Sequence, residues 1–204
     1  ENMVDWNLSR SRFWGTPLPI WTGEDGSLIC IGSIEQLKAE ITKSIAAGVM
    51  PADTDVEAVT KDLHRPYVDN IVLVSENGTP MYREPDLIDV WFDSGAMPYA
   101  QWHFPFENKE VFAKNYPANF IAEGVDQTRG WFYTLHALGS LLKEDVKKEL
   151  EAAGIAVPEA EYPGVAYKAV IANGLVLDKN GNKMSKRLGN AVDPFETIAQ
   201  YSAD

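Results

Sequence analysis

Apolar residues in the first part of the chain repeat with two different spacings, and together they predict a small α/β lobe over residues 23–86. A short apolar run from Ser27 to Ile31 favours a strand. The apolar positions that follow recur at the spacing of one helix face: Ile34, Leu37, Ile41 and Ile45. Ser33 and Gln36 form a capping box that would begin this helix.

Turn residues and prolines complete the pattern of this half. Asn77-Gly78 separates the apolar segment Ile71–Val74 from a second one near Met81, which predicts a β-hairpin. Residues 1–22 are expected to be an extended opening segment, because their prolines disfavour a helix. If this segment is a strand, Arg10 and Arg12 share one face. The lobe contains no cluster of chemically active residues, so we interpret it as a structural insertion.

Strands and helices are expected to alternate in the second half of the chain. The predicted strands are Leu87–Phe92, Asn119–Ala122, Ala169–Ala172 and Leu175–Leu177. After the second strand, Asp126 is expected to cap a helix with apolar positions Trp131, Leu135, Leu138 and Leu142. A separate charged helix is predicted around Lys143 to Ala153. This order favours an α/β fold, half of a doubly wound parallel sheet whose ligands bind beyond the carboxyl ends of the strands.

A last helix is predicted near the end of the chain. Asp193 and Glu196 form a second capping box, and Pro194 occupies the first helical position.

Composition narrows the class of protein. The chain has 204 residues, 45% of them hydrophobic, which is typical of a folded soluble protein. No apolar run approaches a membrane span, and Cys30, the single cysteine, excludes an internal disulfide or a multi-cysteine zinc site. Its apolar neighbours predict a buried thiol. A single cysteine fits a reducing, cytoplasmic setting. The net charge of −12 disfavours this chain as a main nucleic-acid surface.

The basic run KMSKR at residues 183–187 is the first candidate for chemistry. Lys183 and Lys186 on a short loop can both reach phosphate oxygens whose charge grows as pyrophosphate leaves. A turn is predicted at Asn180-Gly181, just before the run, and Gly181 and Gly189 on its two sides would permit a hinge. The alternative is a solvated basic turn.

A second candidate lies where a strand is expected to end and a helix to begin. Gly124 lets the backbone approach a ligand closely, and Asp126 can accept two hydrogen bonds from a ribose diol. Glu123 offers a charge for an ammonium group, and Gln127 offers an amide for a carbonyl. A plain helix cap is the alternative interpretation.

Two tryptophans are candidates for an apolar pocket. Trp91 and Trp131 each lie beside a polar motif, and their indole faces would suit a branched aliphatic side chain. Core packing is the alternative. The three histidines form neither a metal-ligand pair nor a partner for a nucleophile, so we predict no metal site and no catalytic histidine.

Four segments in this order resemble the class I aminoacyl-tRNA synthetases and, among them, the isoleucyl-tRNA synthetases. They are SRSRFWGTPLP at 9–19, DVWFDSG at 89–95, EGVDQTRGWF at 123–132 and KMSKR at 183–187, which is similar to the KMSKS signature. The resemblance implies the second half of a Rossmann-like catalytic domain carrying a small inserted lobe. The regions it implies are 1–22, 23–86, 87–192 with the KMSKR loop, and the start of a helical stem-contact region at 193–204.

The resemblance also assigns roles to these residues. Glu123, Gly124, Asp126 and Gln127 match the adenylate-binding motif, and the tryptophans of two motifs, Trp91 and Trp131, would line an isoleucine pocket. The implied ATP contacts are Asn173, Gly174, Lys183, Met184, Ser185 and Lys186, with Lys183 and Lys186 catalytic. Asn173-Gly174 stands where many relatives have His-Gly near adenine, and asparagine can hydrogen-bond a purine.

The implied activity is ATP-dependent formation of isoleucyl adenylate and transfer of isoleucine to tRNA(Ile). Magnesium would accompany ATP, held largely by phosphates and water. Most tRNA contacts, any zinc and the editing region would lie elsewhere in a monomeric parent enzyme with no membrane association. The chain contains no HIGH-like tetrapeptide, so we expect this piece alone to be inactive.

Three alternatives stay open at this point. Valine- or leucine-specific members of the class are the nearest, although residues 89–101 and 126–130 look isoleucine-type. A non-catalytic binding module derived from a synthetase is the second. An unrelated nucleotidyl transferase is the third, and it would not account for the two tryptophan motifs.

Overall fold

The computed structural model describes residues 5–155 and 164–203, and its backbone divides into two compact units between Ser94 and Gly95. Residues 1–4 of the predicted opening segment and the final residue lie outside the described part. The strands are β1 (Ser9–Arg10), β2 (Ile20–Gly23), β3 (Leu28–Cys30), β4 (Leu73–Val74), β5 (Pro80–Arg83), β6 (Leu87–Ile88), β7 (Ile121–Gly124) and β8 (Val170–Asn173). The helices are α1 (Ile34–Ala46), α2 (Val56–Val59), α3 (Val90–Gly95), α4 (Met97–Ala100), α5 (Lys109–Asn115), α6 (Trp131–Ala152) and α7 (Pro194–Tyr201). This division does not test the four functional regions predicted above, which stay predictions.

The first unit is built around an antiparallel sheet of order β3-β2-β5-β4. Trp21 on β2 is the largest fully buried side chain, and its indole Nε1 donates to the carbonyl of Ile71 at 2.9 Å. The rest of the buried cluster comes from the sheet, α1 and the loops: Ile31, Leu37, Ile41, Met50, Val68, Ile71, Leu73 and Met81. The predicted α/β lobe therefore has its own hydrophobic core.

Helix α1 begins where the capping box predicts. Ser33 Oγ accepts a hydrogen bond from the Gln36 amide at 3.1 Å, and Gln36 Oε1 accepts one from the Gly32 amide at 2.7 Å. The predicted apolar stripe is wrong at its first position, because Ile34 is the first helical residue and is 43% exposed. The buried face instead continues to Ser44, whose hydroxyl donates to the Glu40 carbonyl at 2.9 Å.

The predicted burial of Cys30 is wrong. Cys30 lies on β3, the edge strand of the sheet, and side chains along a strand alternate between its two faces. Ile29 is partly buried against the core, whereas Leu28 and Cys30 point away from it and are exposed. An apolar run on an edge strand thus buries one face only.

The predicted hairpin is confirmed, with β4 and β5 antiparallel around Asn77-Gly78. Gly78 has φ of +81°, a conformation that favours glycine. Asp25, in the neighbouring turn, accepts hydrogen bonds from Ser75 Oγ at 3.0 Å and Asn77 Nδ2 at 3.2 Å. Hydrogen bonds from Ser27, together with these two, lower the Asp25 pKa well below its usual value.

A buried arginine joins the end of β5 to the loop before β4. The Arg83 side chain is 1% exposed, and its Nε and Nη2 both donate to Asp69 Oδ1, at 3.0 and 2.5 Å. It also donates to the main-chain carbonyls of Glu84 and Asp86. Burial acts to raise the Asp69 pKa, but the bonds and charges of Arg83 and Arg65 outweigh burial and lower it.

The strand predicted over Leu87–Phe92 is wrong beyond its first two residues. Only β6 is extended, and it pairs antiparallel with β1. Asp89 accepts a hydrogen bond from the amide of Trp91 at 3.1 Å, and the chain continues as helix α3. Strand β1 ends at Arg10, so Arg10 and Arg12 do not share a strand face.

The second unit is organised around α6. This is one helix of 22 residues, not the two predicted, because no glycine or proline interrupts it where charged residues begin at Lys143. Leu135 and Leu138 are buried as expected, but Leu142 is 36% exposed. Further along the helix, Val146 and Leu150 are the buried positions.

An aromatic cluster packs beside α6. Phe112 on α5 is fully buried and stacks with Phe104 and Tyr116, at ring-centroid distances of 4.0 and 4.9 Å. The hydroxyls of Tyr99 and Tyr116 are 3.0 Å apart, and burial raises the pKa of both. This cluster is the main core of the second unit.

Strands β7 and β8 form the parallel pair of the second unit. The first is displaced toward Gly124 relative to the prediction, and the strand predicted at Leu175–Leu177 is wrong. Those three residues are largely exposed, and Leu177 makes a single bridge to Lys183 where the chain turns. The three sheets of the described residues, together with their helices, confirm the predicted α/β class.

Helix α7 begins as predicted. Asp193 Oδ1 accepts hydrogen bonds from the amides of Phe195 and Glu196, at 2.8 and 3.2 Å, and Pro194 is the first helical residue.

Candidate functional site

The parallel pairing of β7 and β8 brings two of the predicted binding segments together. In this register Gly124 is the partner of Asn173, and Glu123 is the partner of Ala172. The carboxyl ends of parallel strands lie at one edge of their sheet, which is where α/β folds bind ligands. Glu123, Gly124, Asn173 and Gly174 therefore share an edge, although about fifty residues of sequence separate the two pairs.

The turn after β7 carries Asp126 and Gln127. Residues 125–129 form a 3₁₀ turn, and α6 begins only after Gly130, so the predicted helix cap by Asp126 is wrong. The cap is made by Gln127, whose Oε1 accepts from the amide of Trp131 at 2.9 Å. Because that bond fixes the Gln127 side chain, its Nε2 is the group that can still donate to a carbonyl.

The Asp126 carboxylate is exposed at the same edge. Its nearest polar contact is a long hydrogen bond from Gln127 Nε2, at 3.5 Å. A Cβ on Gly124 would lie 2.6 Å from Asp126 Oδ1, so the carboxylate passes directly over the glycine backbone. A side chain at position 124 would therefore require the Asp126 carboxylate to move aside.

The two candidate tryptophans differ in their surroundings. Trp131 is the first residue of α6 and packs partly against the aromatic core, with its ring centroid 6.3 Å from that of Phe132. Trp91 belongs to the first unit, where it is 43% exposed and lines a cavity of about 460 Å³ with Arg10 and Trp14. A shared pocket for the two indole rings stays a prediction.

The KMSKR run follows a tight turn that is confirmed by its hydrogen bonds. Asp178 Oδ1 accepts from the amides of Asn180 and Asn182, at 2.9 and 2.8 Å. The Gly181 amide donates to the Asp178 carbonyl at 2.9 Å, and Gly181 has φ of +77°. The turn reverses the chain so that Leu177 pairs with Lys183.

Asn190 closes the other end of this loop. Its Oδ1 accepts from the Ser185 amide at 2.8 Å, while its Nδ2 donates to Asp178 Oδ2 at 2.8 Å and to the Lys183 carbonyl at 3.2 Å. Hydrogen bonds from Asn190 and from neighbouring amides lower the Asp178 pKa. Sequence analysis missed Asp178 and Asn190, although an aspartate two residues before Asn180-Gly181 is a recognised turn signal.

The cationic side chains of the loop point outward. Lys183, Lys186 and Arg187 are exposed, whereas Met184 and Ser185 are half-buried. In the part of the chain that the structure describes, no ion pair involves any of the three cations. Lys186 begins a 3₁₀ turn that ends at Gly189, with φ of +65°. The arrangement presents two ammonium groups on a glycine-bounded loop and can bind a phosphate chain.

Within residues 5–155 and 164–203, no helix has both the length and the apolar character of a membrane span. No cluster of three or more histidine, cysteine, aspartate or glutamate side chains within those ranges is placed to hold a metal ion.

Comparison with known proteins finds one family across the whole chain. The family model for class I tRNA synthetases (I, L, M and V) matches residues 1–204. An isoleucine–tRNA ligase of Cytophaga hutchinsonii is 67% identical over all of this chain, and one of Bacteroides fragilis is 60% identical. An isoleucine–tRNA ligase of Thermus thermophilus is 46% identical, again over the full chain. The chain spans only 16 to 18% of the length of these relatives.

A solved structure shows the same fold. The ternary complex of Agrobacterium radiobacter K84 agnB2 LeuRS with tRNA and LeuAMS superposes with a TM-score of 0.61 at 19% identity. The match covers 98% of this chain and 24% of that one. It confirms the predicted Rossmann-like α/β architecture of a class I catalytic domain.

Proposed function

The chain belongs to the class I tRNA synthetases of the isoleucine, leucine, methionine and valine group, and from that premise we propose that it is part of an isoleucine–tRNA ligase. The observation that carries the proposal is identity of 46 to 67% to isoleucine–tRNA ligases along the full chain. The full-length enzyme would activate isoleucine with ATP and transfer it to tRNA(Ile). This family membership also removes the unrelated nucleotidyl transferase from consideration.

Activation requires positioning and charge stabilisation from the protein. A carboxylate oxygen of isoleucine attacks the α-phosphorus of ATP, and the bond from that phosphorus to the bridging oxygen breaks to release pyrophosphate. The nucleophile is already ionised, so no general base is needed. We assign Lys183 and Lys186 to the leaving pyrophosphate, because both are exposed on a loop that glycines delimit and neither forms an ion pair with any residue of 5–155 or 164–203. Met184 and Ser185 would contribute backbone groups.

We propose that the adenylate binds at the edge formed by the carboxyl ends of β7 and β8. Asp126, with its exposed carboxylate, accepts hydrogen bonds from the ribose diol. Glu123 faces the isoleucine ammonium group, and Gln127 Nε2 donates to a carbonyl. Gly124 permits close approach of the backbone, and Asn173-Gly174 on the adjacent strand lies near adenine.

Isoleucine specificity is assigned to Trp91 and Trp131. Each ring is partly exposed beside a polar motif, and an indole face gives a large rigid contact to a branched aliphatic side chain. ATP would enter with magnesium held by its own phosphates and by water. The net charge of −12 supports placing most tRNA contacts outside this chain. We further infer a monomeric, cytoplasmic enzyme.

Amino-acid-dependent ATP–pyrophosphate exchange by the full-length enzyme tests this function. Isoleucine should support faster exchange than valine, leucine or methionine. Lys186→Ala should lower turnover tenfold or more, which corresponds to at least about 1.4 kcal/mol of barrier. Lys179→Ala is the matched control, because Lys179 is an exposed lysine of the preceding turn with no assigned role.

Other results of the exchange assay would support a different function. Preference for another amino acid would move the assignment within the family. No exchange with any amino acid would support a non-catalytic binding module. We expect the 204-residue chain alone to give no exchange, and activity from that piece would contradict our assignment of further ATP contacts to the rest of the enzyme.

A further inference from the structure

A buried carboxylate next to the proposed isoleucine pocket has no part in the mechanism above. The side chain of Asp89 is 5% exposed, yet it retains its charge by accepting hydrogen bonds on both oxygens. Asp89 Oδ2 accepts from Arg10 Nη2 and from Trp6 Nε1, each at 2.8 Å. Burial favours the neutral acid, but the bonds from Trp6 and Trp91 and the charge of Arg10 outweigh burial and lower the pKa.

The other oxygen of Asp89 fixes the start of α3. Asp89 Oδ1 accepts from the amide of Trp91 at 3.1 Å, and the Asp89 carbonyl accepts from the amide of Phe92 at 2.8 Å. The Asp89 amide in turn donates to the Leu8 carbonyl at 2.7 Å. One residue therefore joins the opening segment to the first turn of α3, which carries Trp91.

Arg10 is itself held rigidly. Its Nη1 donates to the carbonyls of Asn7 and Ser9, at 2.6 and 2.8 Å. These two bonds orient the guanidinium group whose Nη2 donates to Asp89. Trp6 adds a ring contact to α3, with its centroid 6.3 Å from that of Phe92. The ion pair thus has supports on both sides, and its partners are 79 residues apart in sequence.

We propose that the Arg10–Asp89 ion pair, with Trp6 as second donor, is a positioning device that sets the Trp91 ring against the isoleucine side chain. This inference rests on the proposed function, in which Trp91 lines the amino-acid pocket. Arg10, Asp89 and Trp6 are positioning residues here, because the action proposed for them on the substrate runs through Trp91.

The physical reason is that dispersion attraction falls steeply with the distance between two surfaces. A gap of about 0.5–1 Å between two apolar surfaces forfeits roughly a quarter to a half of their attraction. Loss of the ion pair frees the first turn of α3, and the indole ring then loses its fixed distance to the ligand. Isoleucine has one more methylene than valine to lose contact with, so its binding should weaken more. The proposed ATP contacts lie at the β7–β8 edge and on the KMSKR loop and do not include this ring, so the KM for ATP should not change.

The test is a double-mutant cycle in the full-length enzyme, read by ATP–pyrophosphate exchange with isoleucine and with valine. Arg10→Met should raise the KM for isoleucine about tenfold, raise that for valine less, and leave the KM for ATP unchanged. Arg10→Lys, which keeps the charge, should restore most of the loss. In a Trp91→Ala background, Arg10→Met should add less than twofold, since the ring that it positions is gone.

Two further variants test whether the effect comes from positioning of Trp91. Trp6→Phe removes the Nε1 donor and part of the ring system but keeps an aromatic ring beside Phe92, so it should fold and raise the isoleucine KM about threefold. Lys38→Met breaks an ion pair to Glu57 in the lobe, where Lys38 is as exposed as Arg10, and it should change neither KM.

The outcomes separate this inference from the proposed function. If Trp91→Ala leaves the isoleucine KM unchanged, the pocket assignment is wrong and the positioning role falls with it. If Trp91→Ala raises the KM but Arg10→Met adds its full effect in that background, the ion pair only stabilises the fold. If Arg10→Met and Trp6→Phe both leave the isoleucine KM at the wild-type value, the positioning role is overturned while the pocket stands.

Discussion

Asn190→Ala is the sharpest test of how the KMSKR loop is ordered. The Asn190 side chain makes three hydrogen bonds that join both ends of the loop, at 2.8, 2.8 and 3.2 Å. Alanine removes all three and leaves the Ser185 amide and one oxygen of Asp178 to solvent. The backbone of the loop should then lose its fixed conformation, because no other side chain in the described part of the chain joins Asp178 to Ser185.

The size of the effect follows from the bonds lost. A hydrogen bond within a protein contributes a net of about 0.5–1.5 kcal/mol, and the half-buried position of Asn190 favours the lower end. Three bonds then total about 1.5–2 kcal/mol of loop ordering. A loop that is disordered in the free variant must be ordered in the transition state, so this cost adds to the barrier. We expect exchange to slow by roughly ten- to thirtyfold.

Two measurements check this expectation in the full-length enzyme. Hydrogen exchange of the peptide covering residues 183–190 should speed up, and kcat for isoleucine-dependent pyrophosphate exchange should fall. Asn180→Ala is the matched control, because Asn180 lies in the same loop and its backbone amide, not its side chain, bonds Asp178. If Asn190→Ala matched Asn180→Ala in both measurements, the ordering role of Asn190 would be refuted.

Two further predictions concern the cores of the two units. Phe112→Ala should lower the free energy of unfolding, measured by urea titration, by about 3–5 kcal/mol, because it empties the centre of a stacked cluster. Phe120→Ala is the control: its side chain is 62% exposed, so the same titration should show a loss under about 1 kcal/mol. Asp69→Asn should cost about 2 kcal/mol, because buried Arg83 loses its charged acceptor. The Asp69 pKa is lowered in the folded state. The contribution of Asp69 to folding stability is therefore fully present above its unfolded pKa of about 4 and is lost as pH falls through the folded value. Acid titration should accordingly show a smaller loss of stability in the variant than in the wild type. Equal acid sensitivity of the variant and the wild type would contradict the Arg83 pairing.

Local signals in the sequence were sufficient where each element is set by its own neighbours. The capping residues Ser33 and Asp193 begin helices as predicted, because a cap bonds amides only two or three residues away. The turns at Asn77-Gly78 and Asn180-Gly181 also form as predicted, since glycine accepts the positive φ that each turn needs. The α/β class follows from the same local patterns.

Two of the wrong predictions concern residues whose partners are distant in sequence. The apolar run Val90-Trp91-Phe92 is typical of a strand, but Asp89 accepts from the Trp91 amide and a helix starts there, while Trp6 and Arg10 hold the Asp89 carboxylate. Those partners lie 83 and 79 residues away in sequence, beyond the reach of any window of periodicity. The exposure of Cys30 likewise depends on remote residues, because the core packs against only the face of β3 that carries Ile29.

The sequence by itself determined the family, the α/β class and the residue types of the candidate site, because motifs and caps are local patterns of side chains. The tertiary structure decided how those residues are held. Only the parallel register could place Gly124 beside Asn173, and only folding could bring Asn190 onto Asp178 and Arg10 onto Asp89. The physical reason is that a buried charge or a strand edge is defined by what packs against it, and those partners are remote in sequence.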